Sequence, residues 1–248
     1  MIIIKTEEEI KKIRKACQIV AKVLKNLGEQ VRVGVTTGKL DAFGEQLIIS
    51  LGGQPAFKGY RGYKYSTCLS VNDEVVHGLP SSRVLKEGDI IGVDVGAIVD
   101  GYYGDVAATF GVGKTGARAK KLIETAKDCL GLGIEKAKAG AHLGAIGQAI
   151  EARAKRSKFS VVRDLFGHGV GRALHEDPLI PNFGEVGDGP LLKAGMVLAI
   201  EPMVNEKGYD IETLADGWTV VTADKGLSAH FEHTILVTNG EPEILTKV

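Results

Sequence analysis

Cysteine is scarce in this chain of 248 residues, with three in all, Cys17, Cys68 and Cys129. An odd number without close spacing argues against a disulfide framework and against a thiolate metal site. The expectation is a reducing, cytoplasmic compartment. Excess charge is also lacking: 31 basic side chains balance 31 acidic ones, so neither a nucleic acid nor an acidic membrane surface is an expected partner. The apolar run at Met1–Ile4 is too short for a signal peptide, and no stretch approaches the length of a membrane span. No linker or low-complexity tract divides the chain, which argues for one continuous domain.

What is present centres on Leu85 to Phe110, LKEGDIIGVDVGAIVDGYYGDVAATF. Asp94 and Asp105 each sit in an apolar, β-rich run, and Asp100-Gly101 between them is a turn signal for an antiparallel hairpin. Such a hairpin sets the two carboxylates within a residue or two of facing each other. Two bare carboxylates that close need a cation, a shared proton or a basic partner.

The pattern returns further on. Leu85 to Asp94 lines up with Leu192 to Glu201, every position displaced by 107 (Asp94 onto Glu201). Arg32 to Gly38 matches Lys138 to Gly144 at a displacement of 106. Two matches at nearly one offset argue for an internal duplication, with halves of about 1–113 and 114–248.

Thr6 to Glu9 reads as a capping box opening a helix with Ile10, Ile13, Cys17, Val20, Leu24 and Leu27 inward, and Gly28 as its stop. A second helix is expected from Thr36 or Thr37 to Gly52-Gly53, and a second pair over about 117–137 and 143–156. Helices followed by strands, twice over, predict an α+β fold with mainly antiparallel strands.

Asp94, Asp105, Glu201 and Glu232 together carry a charge that two divalent cations would cancel. His168, between Gly167 and Gly169 in a segment read as a loop, would add a nitrogen ligand. Oxygen ligands with one imidazole suit Mn, Fe, Co, Zn or Mg. Taken singly, each acid has a plainer reading. Asp94 and Asp105 could be edge or turn residues, and Glu232, between His230 and His233, a solvated strand end. Glu201 follows an apolar run and would be costly to bury alone. The repeat of an acid at one position in both halves favours the joint reading. His77, His168 and His175 stand in glycine- or proline-bearing segments; His142 reads as structural, and His230 and His233 as surface groups or as support behind a site. Tyr60 and Tyr63, in a glycine-rich stretch, read as pocket wall, while Cys68 reads as a small buried residue.

In order along the chain, SVNDEVVHGLP from Ser70 to Pro80, Asp94 with Asp105, GHGVG from Gly167 to Gly171 with His175-Glu176-Asp177-Pro178, Ala199-Ile200-Glu201-Pro202 and Glu232-His233-Thr234 resemble methionine aminopeptidase, in its short bacterial type I form. The resemblance spans essentially the whole chain. It implies a pseudo-two-fold "pita-bread" fold, a curved, mainly antiparallel sheet covered by two helix pairs. It also implies two divalent ions, Co, Mn, Fe(II) or Zn, held by Asp94, Asp105, His168, Glu201 and Glu232. The implied reaction is removal of the initiator methionine from nascent chains whose second residue is small, by attack of a metal-bound hydroxide on the first peptide bond. Glu201 would shuttle a proton, and His77 and His175 would hydrogen-bond the scissile amide and the intermediate. Tyr60, Tyr63, Cys68 and Trp218 match the methionine side-chain pocket. Phe57 and Leu174 depart from the usual Cys and Phe, which implies a reshaped pocket. A cytoplasmic monomer in passing contact with the ribosome is expected, with no nucleic-acid specificity and no membrane. A proline-specific relative of the same fold, or a non-catalytic peptide binder, are the alternative readings.

Overall fold

The computed structural model of the chain describes residues 1–247; Val248, the end of the expected second half, lies outside the described residues. The first half contributes α1 (Glu7–Gln30), α2 (Thr37–Ser50), β1 (Gln54–Pro55), β2 (Thr67–Val71), β3 (Glu74–Val76), β4 (Ile90–Val99) and β5 (Tyr102–Gly111). The second contributes α3 (Ala117–Lys136), α4 (Gly144–Arg156), β6 (Ser160–Val161), β7 (Phe166–Gly169), β8 (Glu176–Pro181), β9 (Val197–Ile200) and β10 (Met203–Asn205). It closes with β11 (Ile211–Thr213), β12 (Val220–Thr222), β13 (Ser228–His230), β14 (Glu232–Leu236) and β15 (Glu243–Ile244).

The capping box opens α1 as its residues require. Thr6 Oγ1 accepts the Glu9 N–H, and the Glu9 carboxylate accepts the Thr6 N–H in return. Ile13, Cys17, Val20 and Leu27 are fully buried along one face. The helix does not stop at Gly28 but runs to Gln30. Gly28 serves contact instead, since a Cβ there would meet the Phe110 ring at 2.5 Å.

The main sheet has nine strands in the order β1-β4-β5-β14-β9-β7-β8, with β2 joined to β4 and β15 to β14. All described ladders are antiparallel. In the β4–β5 hairpin, Asp100 and Gly101 adopt φ of 51° and 77°, the left-handed pair that a two-residue turn needs. Its register pairs Asp94 with Ala107 and Gly96 with Asp105, so the carboxylates project from one face, two positions apart. Strand β14 then joins the halves, pairing Glu232 with Ala107 on β5 and His233 with Ile200 on β9.

The internal match is visible in the backbone. Gly34 N–H donates to Leu85 O and Leu85 N–H to Val35 O, at 2.9 and 2.8 Å. Gly140 N–H donates to Leu192 O and Leu192 N–H to Ala141 O, again at 2.9 and 2.8 Å. Isolated bridges Thr36–Val84 and His142–Leu191 fall at corresponding places. Gly88 and Gly195 share a φ of 89°, open to glycine at little cost. Each half also packs its own apolar core. Val20, Leu27, Leu40 and Ile48 lie against Val93, Val95 and Val106 in one. Leu122, Ile146 and Ile150 lie against Leu198, Ile200 and Ile235 in the other. Two three-stranded sheets, β13-β10-β6 and β11-β12-β3, flank the joint. Pairing of β3 with β12 draws the segments that carry His77 and Trp218 together. Among the described residues no helix is long and apolar enough to cross a membrane.

Candidate active site

All eleven residues singled out from sequence line one cavity of about 370 Å³. Asp94 and Asp105 enter from the central hairpin, Glu232 from β14, Glu201 from the end of β9 and His168 from β7. Their placement follows from the strand register. Glu232 pairs with Ala107, the residue also opposite Asp94, and His168 pairs with Ala199, two before Glu201.

One expectation needs correction. His168 stands on a strand, not in a loop. Its glycine neighbours are packing residues: a Cβ on Gly167 would lie 2.4 Å from Ala199 O, and one on Gly169 2.3 Å from Asp177 O. Only glycines let β7 fit between β8 and β9. Glu232 is far from the solvated strand end of its plainer reading, as the joint reading as a ligand requires. It is buried, because β14 sits between β5 and β9. His230 beside it is buried as well, and half-buried His233 turns its Nδ1 to Thr246 Oγ1 at 2.8 Å.

The electrostatics call for a cation. Asp105, His168 and Glu232 each offer a ligand atom, all within 4.8 Å of one another. Asp94 Oδ1 and Glu232 Oε1 are buried with no hydrogen-bond partner. Burial, with Asp94 and Glu201 adding to it, holds the Asp105 carboxyl well above its ordinary range; burial with Asp105 close by does the same for Glu232. Burial, joined by Glu201, pushes Asp94 up to about 7. Burial also works to raise Glu201, but His230, His168 and His175 outweigh it and draw this carboxyl below its usual value. So much acid in one enclosed place is costly unless positive charge enters it.

His168 is set to receive such a charge. Its Nδ1 lies 2.9 Å from Gly169 O, and a carbonyl can only accept, so Nδ1 carries the proton. Nε2 then points towards Glu201 Oε1, 3.4 Å away, and is the ring nitrogen left for a metal ion. A ring nitrogen and a carboxylate oxygen facing each other at that range suit a metal ion between them, and the backbone bond supplies the orientation that a ligating imidazole needs. The residues present therefore fit divalent metal.

Around this acidic floor stands an apolar wall. Phe57, Tyr63, Cys68 and Leu174 are buried there, with Tyr60 and Trp218 packed against them. Tyr63 O–H donates to Thr67 O at 3.0 Å, and its ring meets Trp218 edge-on at 5.0 Å. Tyr60 O–H reaches His175 Nδ1 at 2.8 Å. Burial, with the His168 ring next to it, brings His175 down to about 4; burial also lowers His77. Both imidazoles are thus neutral at pH 7. Burial pushes the Cys68 thiol far up, which rules it out as a nucleophile at neutral pH.

Some contributors escaped sequence reasoning. Arg61 and Leu179 complete the cavity lip. Buried Asp41 accepts from Ser66 N–H, Thr67 N–H and Thr67 Oγ1, which anchors the start of β2 just before Cys68. Lys5 is buried against Glu176, whose Oε1 accepts the Arg172 and Ala173 N–H groups and so steadies the turn before His175. A charged residue on an apolar helix face, as Asp41 is, was the one local signal for any of these.

Comparison with known proteins agrees with this geometry. Residues 11–239 match metallopeptidase family M24. A methionine aminopeptidase of Clostridium perfringens is 50% identical over 248 residues, covering 100% of both chains. The crystal structure of methionine aminopeptidase from Thermotoga maritima superposes with a TM-score of 0.98 at 48% identity, covering 100% of each chain. A prolidase from Pyrococcus furiosus shares the fold at a TM-score of 0.80 and 27% identity, and the match covers 99% of this chain but 66% of that one.

Proposed function

This chain belongs to metallopeptidase family M24, and from that premise we propose that it is a methionyl aminopeptidase, removing the first methionine of polypeptides by metal-dependent hydrolysis. The observation that carries the reading is the group Asp105, His168 and Glu232, with ligand atoms gathered within 4.8 Å under an apolar, aromatic pocket. We assign two divalent ions of the Co, Mn, Fe(II) or Zn class to Asp94, Asp105, His168, Glu201 and Glu232. Such ions polarise a carbonyl and supply a nucleophile from water at neutral pH.

The chain's own groups do the rest. The pocket of Tyr60, Tyr63, Cys68 and Trp218 takes the methionine side chain, where a thioether gains from aromatic contact. Buried Phe57 and Leu174 narrow the same wall. We assign Tyr60 O–H as the donor in its 2.8 Å bond to His175 Nδ1, the tautomer that leaves the proton of neutral His175 on Nε2, ready to donate to oxygen. His77, neutral for the same reason of burial, serves as the second donor. Donors already in place stabilise charge as it develops on the scissile carbonyl. Glu201, the one carboxyl of the four held low, is the group suited to accept and pass on a proton.

We further propose that the second residue of the substrate must be small, that 1–113 and 114–248 act as one catalytic domain, and that the protein works as a cytoplasmic monomer in passing contact with the ribosome. A proline-specific peptidase is the weaker reading, given the lower identity to prolidase. The test is a panel of Met-X-Ser peptides, assayed anaerobically with each metal and after chelation. Cleavage of Met-Ala-Ser, loss of it with chelator and recovery with one added metal are expected. Cleavage of an Ala-Pro peptide in preference to Met-Ala-Ser would overturn the assignment.

A further inference from the structure

His230 is the polar group that the ligand set leaves unexplained. It ends β13 in Ser228-Ala229-His230, with apolar Phe231 next in the chain. Its side chain is 4% exposed, and its Nε2 is buried with no hydrogen-bond partner. An unpaired buried imidazole nitrogen is costly, so a group should be waiting for it. That group is Glu201, whose Oε2 lies 3.4 Å from Nε2. The other oxygen, Oε1, lies 3.4 Å from His168 Nε2. Glu201 is thus flanked by two imidazoles, one at each oxygen.

The two histidines differ in what they can offer. His168 has its Nδ1 proton committed to Gly169 O, which leaves Nε2 as the nitrogen a metal ion would take. His230 is not among the residues that line the cavity, and it meets Glu201 at the oxygen that His168 does not face. Its main chain is clamped, with His230 N–H donating to Thr109 Oγ1 and Thr109 Oγ1 donating to His230 O, both at 2.9 Å. Asn182 Nδ2 holds the Glu201 carbonyl at 3.2 Å. Both backbones are therefore fixed, and a small rotation of the Glu201 carboxylate closes the remaining gap.

We infer that His230 is a positioning residue: its Nε2–H holds Glu201 Oε2, so that Oε1 is the oxygen presented beside His168 to a divalent ion. This rests on the metallopeptidase reading and adds to it a residue outside the five ligands. A donor behind a metal-binding carboxylate fixes its rotation and thereby the affinity of the site.

The test compares the wild type with His230→Leu and His230→Gln, reading Mn(II) affinity by calorimetry and kcat and KM on Met-Ala-Ser. In His230→Leu, affinity for the weaker-held or stronger-held Mn(II) should fall about 10–100-fold, the usual effect of losing a residue behind a metal ligand. Turnover should fall with it while KM stays within about threefold, since the methionine pocket is untouched. The Gln amide can donate to the same oxygen, so His230→Gln should recover both readouts to within about threefold of wild type. Wild-type Mn(II) affinity and kcat in His230→Leu would overturn the inference. So would a folded His230→Gln no better than His230→Leu. Absence of Mn(II) binding in the wild type would instead sink the metallopeptidase reading itself, a separate outcome.

Discussion

The two halves share a backbone but not a chemistry. Each has a helix pair, a glycine at φ of 89° and an acid at the matching place of an apolar strand run, Asp94 within β4 and Glu201 just after β9. In the first half a two-residue turn leads straight from β4 to β5. In the second, the chain between β9 and β14 leaves the main sheet to build β10 to β13 before returning. The neighbouring strands differ as well. β2 places a thiol, Cys68, opposite Asp94, whereas β7 places the His168 imidazole opposite Ala199. Matching backbone places fix where side chains can point, and the residues that occupy them decide which half offers pocket wall and which offers a nitrogen ligand.

The sharpest way to break this picture is to delete one acid from each half. Asp105→Ala and Glu232→Ala should each leave no measurable turnover of Met-Ala-Ser and lower the bound metal measured by mass spectrometry. Full activity in either would mean that one half suffices. Next in size, His77→Ala from the first half and His175→Ala from the second should each lower kcat about 10²–10³-fold with little change in KM, the usual effect of losing a charge-stabilising donor. Raised KM at constant kcat would make either a binding group only.

Smaller effects should separate the halves. Gly104 precedes Asp105 where Phe231 precedes Glu232. A Cβ on Gly104 would stand 2.5 Å from the Cys17 backbone nitrogen, so α1 lies tight on β5. Gly104→Ala should cost about 1–3 kcal/mol in denaturant unfolding, from overpacking. The smallest effect concerns helix starts. α1 and α2 have Thr6 and Thr36 as side-chain caps; α3 and α4 begin at Gly116 and Leu143 without one. Thr6→Ala should cost about 1 kcal/mol, and Thr6→Gly only a few tenths. The cap also has a pH signature. The Thr6 backbone bond, against a smaller opposing effect of burial, draws the Glu9 carboxyl down to about 2 from 4.5. The unfolded chain binds that proton first, so this stabilisation is complete above pH 4.5 and is lost as pH falls towards 2. Glu9→Gln should flatten the acid limb of the stability profile over that window, and an unchanged limb would remove the cap from the account.

Much of this was legible in the residues themselves, for physical reasons. Asp100-Gly101 names its own turn, because few other residues accept left-handed φ at both places. The displaced repeat announced the paired halves, and the hairpin register then carried Asp94 and Asp105 to one face. What stayed hidden depended on strand order. Glu232 taken singly was the weakest of the acids, because nothing local says that β14 lies between β5 and β9. His168 looked like a loop residue because its glycines answer to β8 and β9, far away in sequence. Lys5 and Glu176 are 171 residues apart, and only the folded chain introduces them. His230 belongs to the same class, since its partner Glu201 arrives from another strand.

Strand β14 has one more consequence. Among the described residues it is the strand that links β5 to β9 in the main sheet, yet it follows β9 by some thirty residues, at 232–236. A growing polypeptide stopped after β9 would leave β5 and β9 with bare facing edges and three acids lacking the fourth. Competence therefore arrives abruptly with β14, and a fragment released before it would be both inert and sticky.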